Sequence, residues 1–244
     1  MGLVPERMIS LTTANRSYKS SKTFYSPRPG VVKPIWITDL EINESLMYIR
    51  QAFTPKKQFI LDQHVMGVNM GLMVGLPGTG KTTIANIIMN NAKKKYKPND
   101  RNILYSDSLQ YNLDHIKDCF YNLLIVDDAI ENQDSTSGLS TEAKELSYEY
   151  FTIRHLFEER FDRKQGYVVT IFGTQMYKAL HKRLRQASIT FYTSTFNDKE
   201  ENRFIQQTIG SDHYYWLLKK YSFVNLHNCY DANAFCIVKF NNRW

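Results

Sequence analysis

The sequence predicts an α/β fold: a mainly parallel sheet flanked by helices, followed by a short β-containing C-terminal extension. Three observations carry this prediction. Short apolar runs alternate with helix-length amphipathic segments, the pattern of strands joined by crossover helices. A glycine-rich loop, GLPGTGKT at 75–82, stands between an apolar run and an amphipathic one. A further run, LLIV at 123–126, is wholly apolar and ends in the paired acids Asp127 and Asp128.

The elements follow in chain order. Residues 1–34 are rich in Ser, Thr and Pro and show neither the strand nor the helix period, so they read as an arm with little structure of its own. Globular patterning starts near residue 35, with a helix expected over 44–53 and a buried strand at 71–74. A helix at 82–95, a strand at 102–106, a helix at 109–119 and the apolar strand at 122–126 come next. A long amphipathic helix is expected over 140–163, then strands at 167–173 and 188–194, separated by a basic helix at 177–186. Beyond them, the runs at 221–226 and 233–240 read as two more strands, a β-hairpin tail. The expected organisation is an arm over 1–34, a core over 35–195 and an extension over 196–244 packed on that core.

Composition narrows the class. Of 244 residues, 43% are hydrophobic and 23% charged, as in a folded globular chain. No apolar run reaches the roughly 20 residues of a membrane span, and the N-terminus lacks an apolar signal region. Cys119, Cys229 and Cys236 are odd in number and lack metal-ligand spacing, which argues against a disulfide framework or a zinc site. These features point to a cytoplasmic protein without a membrane partner. The net charge of +7 favours an anionic partner, nucleic acid or a phosphorylated ligand. Much of it lies in the arm, where Arg7, Arg16, Lys19, Lys22, Arg28 and Lys33 face one acid, Glu6. Tyr18, Phe24 and Tyr25 are interleaved there and could stack on bases while the cations meet phosphates; the alternative is an arm that packs on its own domain or a sister subunit.

The loop Gly75, Leu76, Pro77, Gly78, Thr79, Gly80, Lys81, Thr82 fits G-x-x-x-x-G-K-[ST] without a mismatch, and Thr83 extends it into the helix. Glycines let backbone N–H groups turn inward on phosphate oxygens, and the helix N-terminus adds its positive end. Lys81 is expected to reach the β- and γ-phosphates, and the Thr82 hydroxyl to hold Mg²⁺. Asp127, delivered to the C-terminal edge of the sheet by its strand, is expected to orient the Mg²⁺ shell as a Walker-B acid. Asp128 is placed to polarise the attacking water; Glu131 is the reserve base, since Asp is one methylene shorter. A strand ending in Thr174 and Gln175 would bring one of them near the γ-phosphate if it lies between the strand before the glycine loop and the strand that ends at Asp127. The ligand is expected to be ATP, as no guanine-reading motif is evident.

Residues 71–195 resemble P-loop ATPases of the additional-strand class, with a RecA/AAA+-like core; the class includes FtsK/HerA-type DNA translocases and AAA+ proteins. The run LLIVDDA, the helix carrying Ile153, Arg154 and His155, and the run FGTQMYKALHKRLRQASITFYTS at 172–194 are similar to viral genome-packaging ATPases of the FtsK/HerA type. The chain also resembles DnaA-like ATPases of archaeal viruses and plasmids, which favour an Asp-Asp Walker B. Two departures are present: FtsK/HerA proteins usually carry Glu where Asp128 stands, and GLPGTGKTT is more typical of AAA+ proteins. The resemblance implies a strand ending in Gln175, then a basic helix containing Arg183 that leads to the apolar strand at 188–194; from its charge, that helix could supply Arg183 or Arg185 as an arginine finger to a neighbouring subunit. A DNA-facing role for Lys178, Lys182 and Arg185 is the other option, and a solvated face the plainest. Lys93, Lys94, Lys95 and Lys97 complement the dipole of the preceding helix. An AAA+ lid would need a longer helical segment than 196–244, which favours a single core. The expected function is a Mg²⁺-dependent ATPase coupled to DNA, a packaging or translocating motor working as a homo-oligomer. An AAA+-type replication initiator or helicase loader and a small-molecule kinase are the alternatives.

Overall fold

The computed structural model describes residues 32–37, 66–127, 148–149, 152–162, 166–178, 180, 184–227 and 235–240. Among the described residues, seven strands form one sheet: β1 (Val32–Trp36), β2 (Met66–Val74), β3 (Arg101–Ser106), β4 (Tyr121–Val126), β5 (Gly166–Thr174), β6 (Ile189–Tyr192) and β7 (Phe235–Phe240). Their order is β1-β7-β6-β2-β5-β4-β3. Strands β2 to β6 run parallel, whereas β7 is antiparallel to both β6 and β1. The α/β architecture with a mainly parallel sheet is therefore the observed one. Strand β5 lies between β2 and β4, the position expected for the strand that ends in Thr174 and Gln175. The first strand straddles the position at which the sequence divides arm from core.

Side chains alternate between two buried clusters, as the pleat requires. Leu72, Val74, Leu124, Val126, Val168 and Phe172 face one way; Met73, Leu123, Ile125, Val169 and Ile171 face the other. Helix α1 (Lys81–Lys95) closes the second face with Ile84, Ala85, Ile88 and Ala92, spaced at helical intervals. The first face is closed by α3 (Ile153–Phe161), α4 (Lys199–Ile209) and α5 (Ser211–His227), through Ile153, Phe157, Ile205, Ile209 and Leu217. Arg101 donates to the carbonyls of Lys93 and Tyr96, closing the C-terminal end of α1 where the lysines gather.

Three expectations give way. The run at 221–226 belongs to the last part of α5, not to a strand, so it does not pair with the run at 233–240; of the latter, the described residues 235–240 are extended and join the main sheet. Its Tyr, Phe and Val residues favour strands only weakly, and a helix already nucleated at Ser211 extends at little cost. The helix at 109–119 stops at Asp114, giving α2 (Leu109–Asp114). Buried asparagines intercept the backbone there: Asn102 Nδ2 donates to His115 O at 3.0 Å, and Asn122 binds Lys117 N, Lys117 O and Cys119 O. In the 177–186 segment, the described residues form a turn at Tyr177 and Lys178 and a 3₁₀ turn at Leu184–Gln186 instead of a continuous α-helix. Thr174 Oγ1 and Glu201 Oε1 accept the N–H groups of Met176 and Lys178 at 3.0 and 2.8 Å, holding the chain in a turn. The helix expected at 44–53, residues 140–147, 150–151 and 163 of the one at 140–163, and the arm up to residue 31 lie outside the described residues.

Candidate functional site

The glycine loop runs from the end of β2 to the start of α1, as its sequence predicts. Gly78 and Gly80 adopt φ of 72° and 105°, values that side chains with a Cβ rarely take. The first intrahelical bond of α1 is Ile84 N to Gly80 O at 3.0 Å, and no side chain caps the helix start. A helix start of this kind can receive an anion on its leading N–H groups. Lys81 is buried, and its Nζ donates to Gly75 O at 2.7 Å and Leu76 O at 3.2 Å, drawing the amine into the curve of the loop. Thr82 and Thr83 follow on the exposed side of the first turn.

Neighbouring strands hold this loop from beneath. Gly75 N donates to Thr174 O at 3.1 Å, and Thr193 N to Val74 O at 2.8 Å. Thr79 Oγ1 and Thr193 Oγ1 lie 2.6 Å apart, Thr79 Oγ1 donates to Leu76 O at 2.7 Å, and Leu76 N donates to Ser194 Oγ at 2.8 Å. A Cβ on Gly75 would stand 2.0 Å from Thr193 Oγ1, so glycine is required by close approach as well as by the turn. Thr193 and Ser194 hold the loop by hydrogen bonds and are not among the residues the sequence singles out. Their signal is the buried TST run at 193–195 after an apolar strand, which resembles an ordinary polar strand end.

The carboxylate predicted for the metal shell sits at the same edge. Asp127 follows β4, and its N–H donates to Ser106 O at 2.8 Å. Tyr105 donates its hydroxyl to Asp127 Oδ2, while Oδ1 is buried and has no hydrogen-bond partner among the described residues. A buried carboxylate oxygen without a donor fits a hard, oxygen-seeking cation such as Mg²⁺. Asp128 and Glu131 lie outside the described residues, as does Arg183.

Gln175 is half-buried at the end of β5 and borders a cleft of about 390 Å³ with Leu76, Met176, Phe196, Asp198 and Glu201. The loop, the end of β5 and the start of α4 therefore meet. Glu201 is buried; Oε1 accepts from Lys178 N, Oε2 has no hydrogen-bond partner among the described residues, and burial pushes its carboxyl above the ordinary range. Lys178 pairs with Glu200. The Arg185 guanidinium lies 5.4 Å from the Phe204 ring centroid, with Nε buried and without a hydrogen-bond partner among the described residues. The described cations of the basic segment are thus engaged with α4 of their own chain. Arg154 is half exposed on α3, 3.7 Å from Glu158.

No family model matches the chain, and no curated protein does. Among solved structures, it is similar to the genome-packaging NTPase B204 of Sulfolobus turreted icosahedral virus 2 in complex with ATP-gammaS. Identity there is 14%, coverage 61% of this chain and 85% of that one, and the TM-score 0.40. The FIGL-1 AAA domain with ADP matches at 15% identity over 83% of this chain and 65% of its own, with a TM-score of 0.39. A point variant of RuvB from Thermotoga maritima matches at 18% identity over 76% of this chain and 54% of its own, with a TM-score of 0.38. None of the described helices is long and apolar enough to cross a membrane.

Proposed function

We propose that this chain is a Mg²⁺-dependent ATP hydrolase coupled to DNA, working as a homo-oligomeric packaging or translocating motor. The observation that carries the hydrolase reading is the convergence of two groups on one sheet edge. Lys81 is drawn into a loop of positive-φ glycines, and the Asp127 carboxylate offers an unpartnered oxygen across β5. In this reading the loop amides and Lys81 hold the β- and γ-phosphates, while Thr82 and Asp127 hold Mg²⁺, which neutralises charge on the phosphate oxygens. Asp128, or Glu131 in its place, orients the attacking water. Gln175 senses the γ-phosphate and passes its state to α4 through the turn that Glu201 holds at Lys178.

The DNA partner is supported by charge. The arm carries a net charge of +5 with three interleaved aromatics, which suits salt-dependent contact with phosphates and stacking on bases. Arg183 and Arg185 are the candidates for a finger to a neighbour's nucleotide. The AAA+-type initiator or helicase-loader reading draws on the helical pair α4–α5, whose last part stands where a strand was expected. Against it, Ile205, Ile209 and Leu217 pack in the sheet's own cluster, so the pair covers the core rather than forming a separate lid. The test is the ATPase rate with and without DNA at low salt, alongside native mass in the presence of nucleotide. Stimulation by DNA in an oligomer supports the motor. Turnover that ignores DNA and requires a small-molecule acceptor would instead make the chain a kinase.

A further inference from the structure

We propose that Tyr105 is a positioning residue for the metal-shell carboxylate, fixing Asp127 through one oxygen so that the other is presented to Mg²⁺. The inference rests on the reading of Asp127 given above. Tyr105 stands next to last on β3, the outer strand of the sheet, in register with Ile125 of β4. Ile125 packs in the cluster built on Ile84 and Ile88 of α1, so this is the face of the sheet that carries the phosphate-loop helix. Two residues beyond Ile125 comes Asp127, and the Tyr105 hydroxyl reaches the end of this neighbouring strand to donate to its Oδ2. The main chain of Asp127 is pinned independently by its N–H bond to Ser106 O at 2.8 Å.

The two oxygens of Asp127 consequently differ. Oδ2 accepts from a phenol, whereas Oδ1 is buried with no hydrogen-bond partner among the described residues. A carboxylate that turns freely offers either oxygen and loses rotamer freedom on meeting a cation. One held by a neighbouring donor has already lost it, which is how outer-shell hydrogen bonds tune metal affinity. A purely structural role fits less well. Tyr105 is 40% exposed, and a hydrogen bond so close to water contributes little to folding.

The experiment uses the full chain and its Tyr105→Phe variant, which keeps the ring and removes only the donor. A fluorescent, non-hydrolysable ATP analogue is titrated in EDTA, and Mg²⁺ is then titrated at fixed analogue. The expected result is an unchanged affinity in EDTA, an unchanged thermal midpoint, and a Mg²⁺ midpoint raised about tenfold. An unchanged Mg²⁺ midpoint in the variant, with a clear Mg²⁺ response in the wild type, overturns the role of Tyr105 alone. Absence of any Mg²⁺ response in the wild type overturns the metal-shell reading of Asp127, and this inference with it.

Discussion

Thr79 and Thr193, 114 positions apart, bring their hydroxyls to 2.6 Å and so tie the phosphate loop to the end of β6. The bond joins the loop to a strand end far from it in sequence, beside the Leu76 N–H bond to Ser194 Oγ. Thr193→Val keeps the shape and removes the hydroxyl; Thr79 can still donate to Leu76 O. Stability should fall by about 1 kcal/mol in urea unfolding. Affinity for an ATP analogue should fall with it, because the loop amides lose their fixed direction. Unaltered affinity would mean that β6 does not organise the loop.

Gly75 tests the same contact from the other side. A Cβ there would meet Thr193 Oγ1 at 2.0 Å and Thr79 Oγ1 at 2.9 Å. Gly75→Ala should therefore cost roughly 1–3 kcal/mol as overpacking. Thr193→Ala removes the nearest clashing atom, so the double variant should be more stable than the sum of the single losses predicts. A double-mutant cycle reads this directly, and additivity within about 0.5 kcal/mol would contradict it.

The legibility of the sequence was uneven for physical reasons. Elements whose periodicity agreed with their burial were readable: the strand before Gly75, the helix after Gly80 and the wholly buried β4. The loop was readable because its glycines have no other economical use. Expectations give way where a polar side-chain contact, and not periodicity, decides the backbone. Asn102 and Asn122 end α2 early, and Glu201 holds the turn after Gln175; none of these partners is adjacent in sequence. The partners of Asp127 and Thr79 were hidden for the same reason, since Tyr105 and Thr193 look like ordinary strand residues.

Glu201 gives a pH prediction. Burial raises its carboxyl above the ordinary value of 4.5, so the fold favours the protonated form. That contribution is fully present below about pH 4.5 and is lost as pH rises through the raised value. Glu201→Gln retains an acceptor for Lys178 N and cannot ionise. The variant's stability relative to wild type should therefore grow between about pH 4 and pH 7, measured by urea unfolding. A flat difference across that window would show that Glu201 ionises without cost.

Arg185 separates packing from catalysis. Its guanidinium over Phe204 is a cation–π contact, so Arg185→Ala should lower stability by about 1 kcal/mol. If packing is its only role, ATP turnover per folded molecule should change by less than about tenfold. A loss nearer a thousandfold, the scale of an arginine finger, would assign it to a neighbour's nucleotide.

Steady-state hydrolysis of Mg-ATP by the wild type and by Lys81→Ala, each checked for intact secondary structure, bears on everything above. The wild type should turn over ATP. The variant, lacking the amine that the loop encloses between Gly75 O and Leu76 O, should lose about a hundredfold or more. Equal rates in the two proteins would contradict the assignment of this loop as the hydrolytic site.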